Sequence, residues 1–333
     1  MSINYAQALS PYENKGDVGM PEFIDSPEEL NQKCEELAKL LRQSSCVFVV
    51  AGAGISTSAG IPDFRGPNGV WTAEKDGRVA ESVDFTHARP TLTHHALRVL
   101  EERGLIKFLV SQNVDGLLPR SSFPLNRLAE LHGNVFCERC EKCSSHARHY
   151  YRDFAIGSVG LKYTGRTCEG NPNGRTCRGR LRDTTLDWDD ALPEPQFTNA
   201  QNYAKSSDLS LCLGTSLQIV PVGDMPLLAK RNGGKIVTVN LQATKHENMA
   251  DIAIHGLVDD VMARVLQFLG IPLDIDKMKY SGEIVWKSTH PLEEFKSVRS
   301  SRKRSSMVKD EKDDDNKVAK IDTENAVVKH EAP

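Results

Sequence analysis

The sequence has no long apolar stretch and no strong excess of charge of either sign. No run of residues approaches the roughly 20 apolar positions of a membrane-spanning helix, and the first residues, MSINYAQALSPYENKG, lack the apolar core of a secretory signal. The net charge over 333 residues is −3, which argues against a globally basic nucleic-acid binder but leaves room for a local basic patch. We therefore expect a soluble globular protein that does not associate with membranes.

Apolar runs alternate with helical patterns along most of the chain. The runs at 46–50, 105–112, 209–216, 235–240 and 251–256 are largely continuous apolar runs and do not strictly alternate, as in parallel strands that are covered on both faces. Helical spacing of apolar residues occurs between them, which is typical of helices that connect such strands. The pattern predicts an α/β fold with a Rossmann-like, doubly wound parallel sheet.

Two segments break this alternation. From residue 133 to about 182 the chain is rich in Cys, Gly, Arg and Asn, which indicates a small inserted zinc-binding module. Residues 281–333 carry mixed charge and few large apolar side chains, which is typical of a disordered C-terminal tail. The remaining residues, 1–132 and 183–272, are predicted to form a discontinuous Rossmann-like domain.

The predicted zinc site depends on how the cysteines are spaced. Five of the eight cysteines lie between Cys137 and Cys177, and in an intracellular protein paired spacings predict metal ligands before disulfides. Four thiolates close a tetrahedral shell and leave no open position, so one structural Zn2+ is expected. Cys137, His146 and His149 are competing ligands. The favoured ligands are Cys140, Cys143, Cys168 and Cys177.

A glycine-rich loop, AGAGISTSAGIPDFRG at 51–66, follows the first predicted strand. Backbone amides of such a turn can hold a pyrophosphate. The loop is not the dehydrogenase fingerprint, because Thr57 stands where its third glycine belongs, and it lacks the Gly-Lys-Ser/Thr of a P-loop.

Small or amide residues also end three other strands, at 112–116, 214–216 and 240–242, so a crevice long enough for a dinucleotide is expected. His132, beside the inserted module, is a candidate general base.

Five separated motifs in this order resemble the sirtuin family: GAGIS…GIPDFRG, SQNVDGL, ELHGN, LGTSL and VNLQ. The resemblance covers residues 5–270, and MSINYAQALSPYENKG, GPNGVWT and LDWDD are similar to the nuclear sirtuin-6 type in particular. It implies an NAD-dependent protein-lysine deacylase that consumes NAD+ as a co-substrate. In that chemistry the acyl oxygen of a modified lysine attacks the ribose carbon that carries nicotinamide, and the products are nicotinamide, deacylated lysine and O-acyl-ADP-ribose.

The resemblance also implies a role for individual residues. His132 is the implied general base on the ribose hydroxyls, and Asn113 and Asp115 complete the catalytic set. Asp187 and Trp188 are expected to border an acyl-lysine channel that accepts acetyl and longer chains. The residues implied to bind NAD+ are Ala53, Thr57, Asp63, Phe64, Arg65, Trp71, Gln112, His132, Gly214, Ser216, Asn240, Gln242 and Val258.

The expected partners follow from the same resemblance. It implies acylated histone tails as substrates and a nuclear location, for which the basic cluster RSSRKR at 299–304 is a weak import signal. Basic residues of the inserted module could add contact with DNA or a nucleosome. Two other functions stay open: a mono-ADP-ribosyltransferase that uses the same NAD chemistry, and a non-catalytic zinc-bearing chromatin-binding module.

Overall fold

The structure is a computed structural model that describes residues 5–143, 149–170 and 177–273. Within these residues no helix is long and apolar enough to span a membrane. The described strands are β1 (Val47–Ala51), β2 (Ile106–Ser111), β3 (Leu128–Glu130), β4 (Cys137–Cys140), β5 (His149–Tyr151), β6 (Tyr163–Thr167), β7 (Arg180–Asp183), β8 (Leu209–Leu213), β9 (Lys235–Val239) and β10 (Ile252–Ile254). The described α-helices are α1 (Tyr5–Ala8), α2 (Pro27–Gln43), α3 (Val70–Lys75), α4 (Leu92–Glu102), α5 (Leu117–Arg120), α6 (Gln196–Ser206), α7 (Pro226–Arg231) and α8 (Val258–Leu269).

Six strands form one sheet in the order β10-β9-β8-β1-β2-β3, and every neighbouring pair is parallel. Strands β8, β9 and β10 lie on one side of β1, and β2 and β3 lie on the other side. The order reverses between β1 and β8, which makes that point the topological switch of a doubly wound fold. The predicted Rossmann-like sheet is therefore confirmed, and ligands are expected at the carboxyl ends of β1 and β8.

Alternate residues of the central strand β1 face opposite apolar layers. Val49 belongs to the cluster that contains Leu37 of α2 and Leu97 of α4. Val50 belongs to the cluster that contains Ala200 of α6. Because helices cover both faces, all of β1 is buried, which explains why its sequence is continuously apolar.

The start of α2 shows how local sequence sets an element boundary. The Ser26 hydroxyl accepts a hydrogen bond from the Glu29 N–H (3.3 Å), and the Glu29 carboxylate accepts one from the Ser26 N–H (3.1 Å). Pro27 occupies the first turn, where its missing N–H costs nothing. This reciprocal capping box satisfies two N-terminal donors.

Two local features are not apparent from the sequence pattern. The glycine loop leads into two single 3-10 turns, Ala53–Ile55 and Thr57–Ala59, rather than directly into an α-helix. The second turn ends at Gly60, whose φ of 81° favours glycine. The short strand β3 was not expected, because three residues are too few to show a periodic pattern.

The second sheet is antiparallel, with the order β5-β4-β7-β6. Its four strands come from the segment that the sequence marks as inserted. Its apolar cluster contains the buried residues Cys140, Cys168 and Leu181, and so small a core favours stabilisation by a metal. The boundaries given to the two domains stay a prediction, and the tail predicted for 281–333 lies outside the described residues.

Candidate active site

A cavity of about 290 Å³ lies at the carboxyl ends of β1, β2, β8 and β9. Each of these strands is followed by cavity-lining residues, as expected for a doubly wound sheet. Most residues that the sequence assigned to NAD+ or substrate line it. These are Ala53, Asp63, Phe64, Arg65, Trp71, Gln112, Asn113, His132, Asp187, Trp188, Gly214, Ser216, Asn240 and Gln242.

Three predicted residues do not line this cavity. Thr57 is exposed, and its hydroxyl donates to the Gly54 carbonyl (3.2 Å). Val258 is 7 % exposed and packs in the apolar core at the start of α8. Asp115 is buried behind the lining residues, where it accepts hydrogen bonds from other parts of the site.

The glycines of the loop allow two strand ends to approach each other. The Gly54 N–H donates to the Gly214 carbonyl (2.9 Å), and the Gly52 N–H donates to the Leu213 carbonyl (3.0 Å). A Cβ added to Gly52 would lie 2.7 Å from the Gly214 oxygen, and one added to Gly54 would lie 2.6 Å from the Gly214 Cα. The loops after β1 and β8 therefore meet backbone to backbone at the switch point.

The imidazole of His132 has a defined tautomer. Its Nδ1 lies 3.1 Å from the Gln112 carbonyl oxygen. A carbonyl only accepts, so Nδ1 carries the proton and Nε2 keeps a free lone pair. Burial lowers the pKa of His132 to about 4, although the hydrogen bond to Gln112 raises it. The ring is therefore neutral at pH 7 and can accept a proton at Nε2.

A buried chain of hydrogen bonds joins Asn113 to Asp115. The Asn113 amide donates to the Gly52 carbonyl (3.0 Å) and to the Ser56 hydroxyl (3.3 Å). The Ser56 hydroxyl donates to Asp115 (2.7 Å), which also accepts from the Leu117 N–H (2.8 Å). Burial raises the pKa of Asp115, and these two donors lower it. Asp115 thus supports the side chains of the glycine loop and of Asn113 from behind the cavity.

Arg65 brings a cation to the cavity. Its Nε donates to the Lys15 carbonyl (2.9 Å), and its guanidinium carbon lies 4.6 Å from the Trp71 ring centroid. Its Nη2 is buried and has no hydrogen-bond partner among the residues that the structure describes. Burial lowers the pKa of Arg65 to about 10, and nearby Asp63 raises it. A buried unpaired N–H on a cation fits an anionic ligand such as a phosphate.

Aromatic side chains form one wall of the site. The Trp71 ring centroid lies 4.7 Å from that of Phe64 and 5.6 Å from that of Trp188. Trp188 also stacks on Tyr12 at 4.4 Å, and its indole N–H donates to the Ser10 carbonyl (3.1 Å). The N-terminal segment therefore packs against the wall that carries three residues predicted to contact the ligands.

Several lining residues were not predicted from the sequence. Tyr5 and Leu9 come from the N-terminal segment, which carries no motif of its own for binding. Gly52 and Gly54 lie inside the GAGIS motif and Thr215 lies inside LGTSL, so the motifs themselves indicate that these residues border the ligand. Leu186 and Asp190 lie inside the LDWDD motif, which also indicates their position. The others lie in none of these motifs, and they are Leu192, Ile219, Val220 and Pro221.

Four cysteine sulfurs come from strand β4 and from the loops beside the second sheet, and they lie within 4.8 Å of one another. They are those of Cys140, Cys143, Cys168 and Cys177. The Cys143 Sγ is 3.8 Å from the Cys168 Sγ and 3.6 Å from the Cys177 Sγ. Tetrahedral zinc with Zn–S bonds of about 2.3 Å requires sulfurs about 3.8 Å apart, so the four thiols can hold one zinc ion. Among the competing ligands, Cys137 and His149 are outside this group and His146 lies outside the described residues.

Comparison with known proteins identifies the family. A family model described as "Sir2 family" matches residues 52–87 and 77–221. The NAD-dependent protein deacetylase Sirt6 of Drosophila melanogaster is 46% identical over 277 residues, which cover 82% of this chain and 86% of that protein. The chain belongs to the Sir2, or sirtuin, family. The resemblance seen in the sequence is confirmed.

Two further matches show the extent of the likeness to this family. The NAD-dependent protein deacetylase SRT1 of Oryza sativa subsp. indica is 51% identical over 273 residues, which cover 81% of this chain and 55% of that protein. The chain therefore spans little more than half the length of that sirtuin. A solved structure of Sir2 with a p53 peptide and NAD+ is 29% identical, with a TM-score of 0.55, and the match covers 71% of this chain and 98% of that one.

Proposed function

We propose that the chain is an NAD-dependent protein-lysine deacylase of the sirtuin-6 type. The observation that carries the proposal is the imidazole of His132, which the Gln112 carbonyl holds through Nδ1 in a cavity at the switch point of the sheet. The relatives reported above are named NAD-dependent protein deacetylases, and the solved Sir2 structure contains NAD+ and a peptide. NAD+ would supply the ribose carbon that takes the acyl oxygen when nicotinamide leaves.

The residues of the cavity fit NAD+. The close backbone approach of Gly54 to Gly214 leaves no side chain at the switch point, where a diphosphate could lie against main-chain groups. The unpaired Nη2 of Arg65 would donate to phosphate or ribose oxygens. On the far side, Asn240 and Gln242 line the part of the cavity where the adenosine would lie. Together these groups would position the cofactor with its nicotinamide end near His132.

The chain's own residues would supply proton transfer and exclusion of water. His132 Nε2 would accept a proton from a ribose hydroxyl, while the Gln112 carbonyl holds the ring in place through Nδ1. Asn113 would orient a ribose or water, since its amide is fixed by Gly52 and Ser56. Phe64 would shield the reactive face of the sugar from bulk water.

The substrates proposed are acylated lysines of histone tails. Asp187 and Trp188 border the cavity beside the apolar side chains of Leu9 and Leu186, which supports acceptance of acyl chains longer than acetyl. The similarity to Sirt6 supports nuclear histones as targets and a nuclear location. A comparison of acetylated and myristoylated histone peptides at equal concentration tests the chain-length preference. A strict preference for acetyl would contradict it.

Contact with DNA or a nucleosome is proposed for the inserted module. Arg178 and Arg180 are exposed, and the Arg180 guanidinium carbon lies 3.7 Å from the centroid of the Tyr163 ring, which is itself 40 % exposed. Such groups neutralise phosphates without reading sequence, so binding should weaken with salt. Replacement of both arginines by glutamine should weaken nucleosome binding. Unchanged or salt-independent binding would refute this contact.

Release of nicotinamide tests the proposed function. Wild-type protein incubated with NAD+ and an acylated histone peptide should release nicotinamide only when the peptide is acylated. His132→Tyr should abolish this release, whereas His87→Tyr, at an exposed histidine outside the cavity lining, should retain it. Retained release by a folded His132→Tyr variant would remove His132 from its role. Absence of release by the wild type would refute the proposal.

A further inference from the structure

A partly buried carboxyl group, that of Glu130, lies at the base of the turn that carries His132. Glu130 ends β3, and its Oε1 accepts a hydrogen bond from the Asn134 side-chain amide (2.8 Å). The Asn134 Oδ1 accepts in turn from the Phe136 N–H (2.9 Å). The Glu130 carbonyl accepts from the Gly133 N–H (3.1 Å). Both the side chain and the main chain of Glu130 therefore hold the turn that presents His132.

The other side of this turn is tied to the segment that leaves β7. The His132 carbonyl accepts from the Leu186 N–H (3.1 Å), and the Asn134 N–H donates to the Thr184 hydroxyl (3.2 Å). A Cβ added to Gly133 would overlap the Thr184 carbonyl, so the two segments are in close contact. The orientation of His132 thus depends on contacts on both sides of the turn, of which the Glu130–Asn134 pair is one.

Glu130 also lines a second cavity, of about 40 Å³, together with Gly133 and Asn134. A polar cavity of this size can hold a water molecule. Titratable and charged groups face Glu130 from the loop after β2, from β4, from β5 and from the segment before α6. They are Asp115, Cys137, Arg139, His149, Tyr151 and Glu194.

We propose that Glu130 is a positioning residue for His132, because its carboxyl group accepts the hydrogen bond from the Asn134 amide and so holds the turn that carries His132. Burial raises the pKa of Glu130 to about 8, although the Asn134 hydrogen bond lowers it, and the charge of Asp115 raises it further. Loss of the proton would place a charge in the buried base of the turn, and the turn would have to rearrange to hydrate it. The inference rests on the proposed deacylase activity, because the effect is on turnover.

The stability that Glu130 costs the fold favours a role in function. The pKa of a glutamic acid in an unfolded chain is about 4.3, so between that pH and about 8 the folded protein binds a proton that the unfolded chain has lost. Glu130 therefore destabilises the fold increasingly as the pH rises through this window. Buried acids of this kind, with strongly shifted pKa values, cluster at functional sites.

The pH dependence of turnover tests the inference. With saturating NAD+ and peptide, the wild-type kcat should fall above an apparent pKa near 8. Glu130→Gln is permanently neutral and keeps a carbonyl acceptor for Asn134, so it should retain kcat at pH 7 within about twofold and lose the alkaline fall. Glu130→Ala removes the acceptor and should lower kcat about tenfold, with the KM for NAD+ within about twofold, since about 1.4 kcal/mol corresponds to a factor of ten.

A matched control and a second readout complete the test. Glu101→Gln changes another acid whose pKa is raised by burial, on α4, and should leave the alkaline fall unchanged. The melting temperature of Glu130→Gln should exceed that of the wild type by a margin that grows from pH 5 to pH 8, whether or not the protein is active. Zinc content and circular dichroism show whether each variant is folded.

The outcomes separate the two proposals. If the wild type deacylates but folded Glu130→Gln keeps the alkaline fall, or folded Glu130→Ala keeps the wild-type kcat, the positioning role is wrong and the proposed function stands. If the melting margin does not grow with pH, Glu130 is not neutral in the folded protein and the inference is overturned. If the wild type shows no NAD-dependent deacylation at any pH, the proposed function fails, and this inference fails with it.

Discussion

Replacement of Gly54 by alanine is expected to weaken both the fold and cofactor binding. An added Cβ would lie 2.6 Å from the Gly214 Cα, whereas ordinary contact begins at 3.4 Å. The loops after β1 and β8 would therefore have to separate by about 0.8 Å, the difference between these two distances. Such a separation would also stretch the hydrogen bond from the Gly54 N–H to the Gly214 carbonyl, now 2.9 Å.

Two magnitudes follow for Gly54→Ala. Overpacking of this kind costs about 1–3 kcal/mol, so the free energy of unfolding in urea should fall by that amount. The main-chain groups that face the diphosphate would move with the loops, and a loss of about 1.4 kcal/mol in binding corresponds to a tenfold rise in the Kd for ADP-ribose, measured by calorimetry.

Gly256→Ala is the matched control for this prediction. The nearest atom to its added Cβ is the Leu30 Cδ1, at 3.1 Å, which is the end of a flexible side chain. We expect its stability to change by less than about 1 kcal/mol and its affinity for ADP-ribose to stay the same. If Gly54→Ala matched Gly256→Ala in both measurements, the close approach of the two loops would not be what requires glycine.

Three further predictions concern the cation, the base and the metal. Arg65→Gln should raise the Kd for ADP-ribose by about 10- to 100-fold, because hydrogen bonds to charged groups contribute about 1.5–3 kcal/mol; an unchanged Kd by calorimetry would show that Arg65 does not contact the ligand. Since burial lowers the pKa of His132 to about 4, its neutral form persists as the pH falls below 6.5. The kcat/KM for acylated peptide should therefore stay flat from pH 7 to about 5.5 and fall only towards pH 4, and an acid limb near 6.5 would contradict this. Removal of zinc by a chelator should lower the melting temperature of the protein, and a melting curve that does not depend on zinc would refute a structural metal at Cys140, Cys143, Cys168 and Cys177.

The sheet could be predicted because buried parallel strands leave a strong signal. Residues Val47–Ala51 are all buried, so their continuous apolar run marks the strand without any long-range information. The strand Leu128–Glu130 shows no such sequence pattern, because three residues are too few to define a hydrophobic period. Its pairing with β2 depends on tertiary contacts. The same limit hid Glu130, since burial of a carboxyl group depends on residues distant in sequence.

Site residues could be predicted where a motif follows the end of a strand. They could be predicted less well where the site is formed by segments distant in sequence. The motif around Gly54 predicted a diphosphate turn, but its contact with Gly214 is made across 160 residues of chain. The hydrogen bonds of Ser10 with Asp187 join residues 177 positions apart, so no local pattern could predict that the N-terminal segment borders the cavity. Val258 was assigned to the ligand from the resemblance alone, and its side chain packs in the core.

The central claim is that the acyl group of a modified lysine is transferred to ADP-ribose from NAD+. Mass spectrometry of an acylated histone peptide, the protein and NAD+ after reaction measures this directly. We predict loss of the acyl mass from the peptide and an equal amount of O-acyl-ADP-ribose. An ADP-ribose mass added to protein, with the acyl group retained on the peptide, would contradict the claim in favour of a mono-ADP-ribosyltransferase, and no consumption of NAD+ would contradict it in favour of a non-catalytic zinc-bearing module.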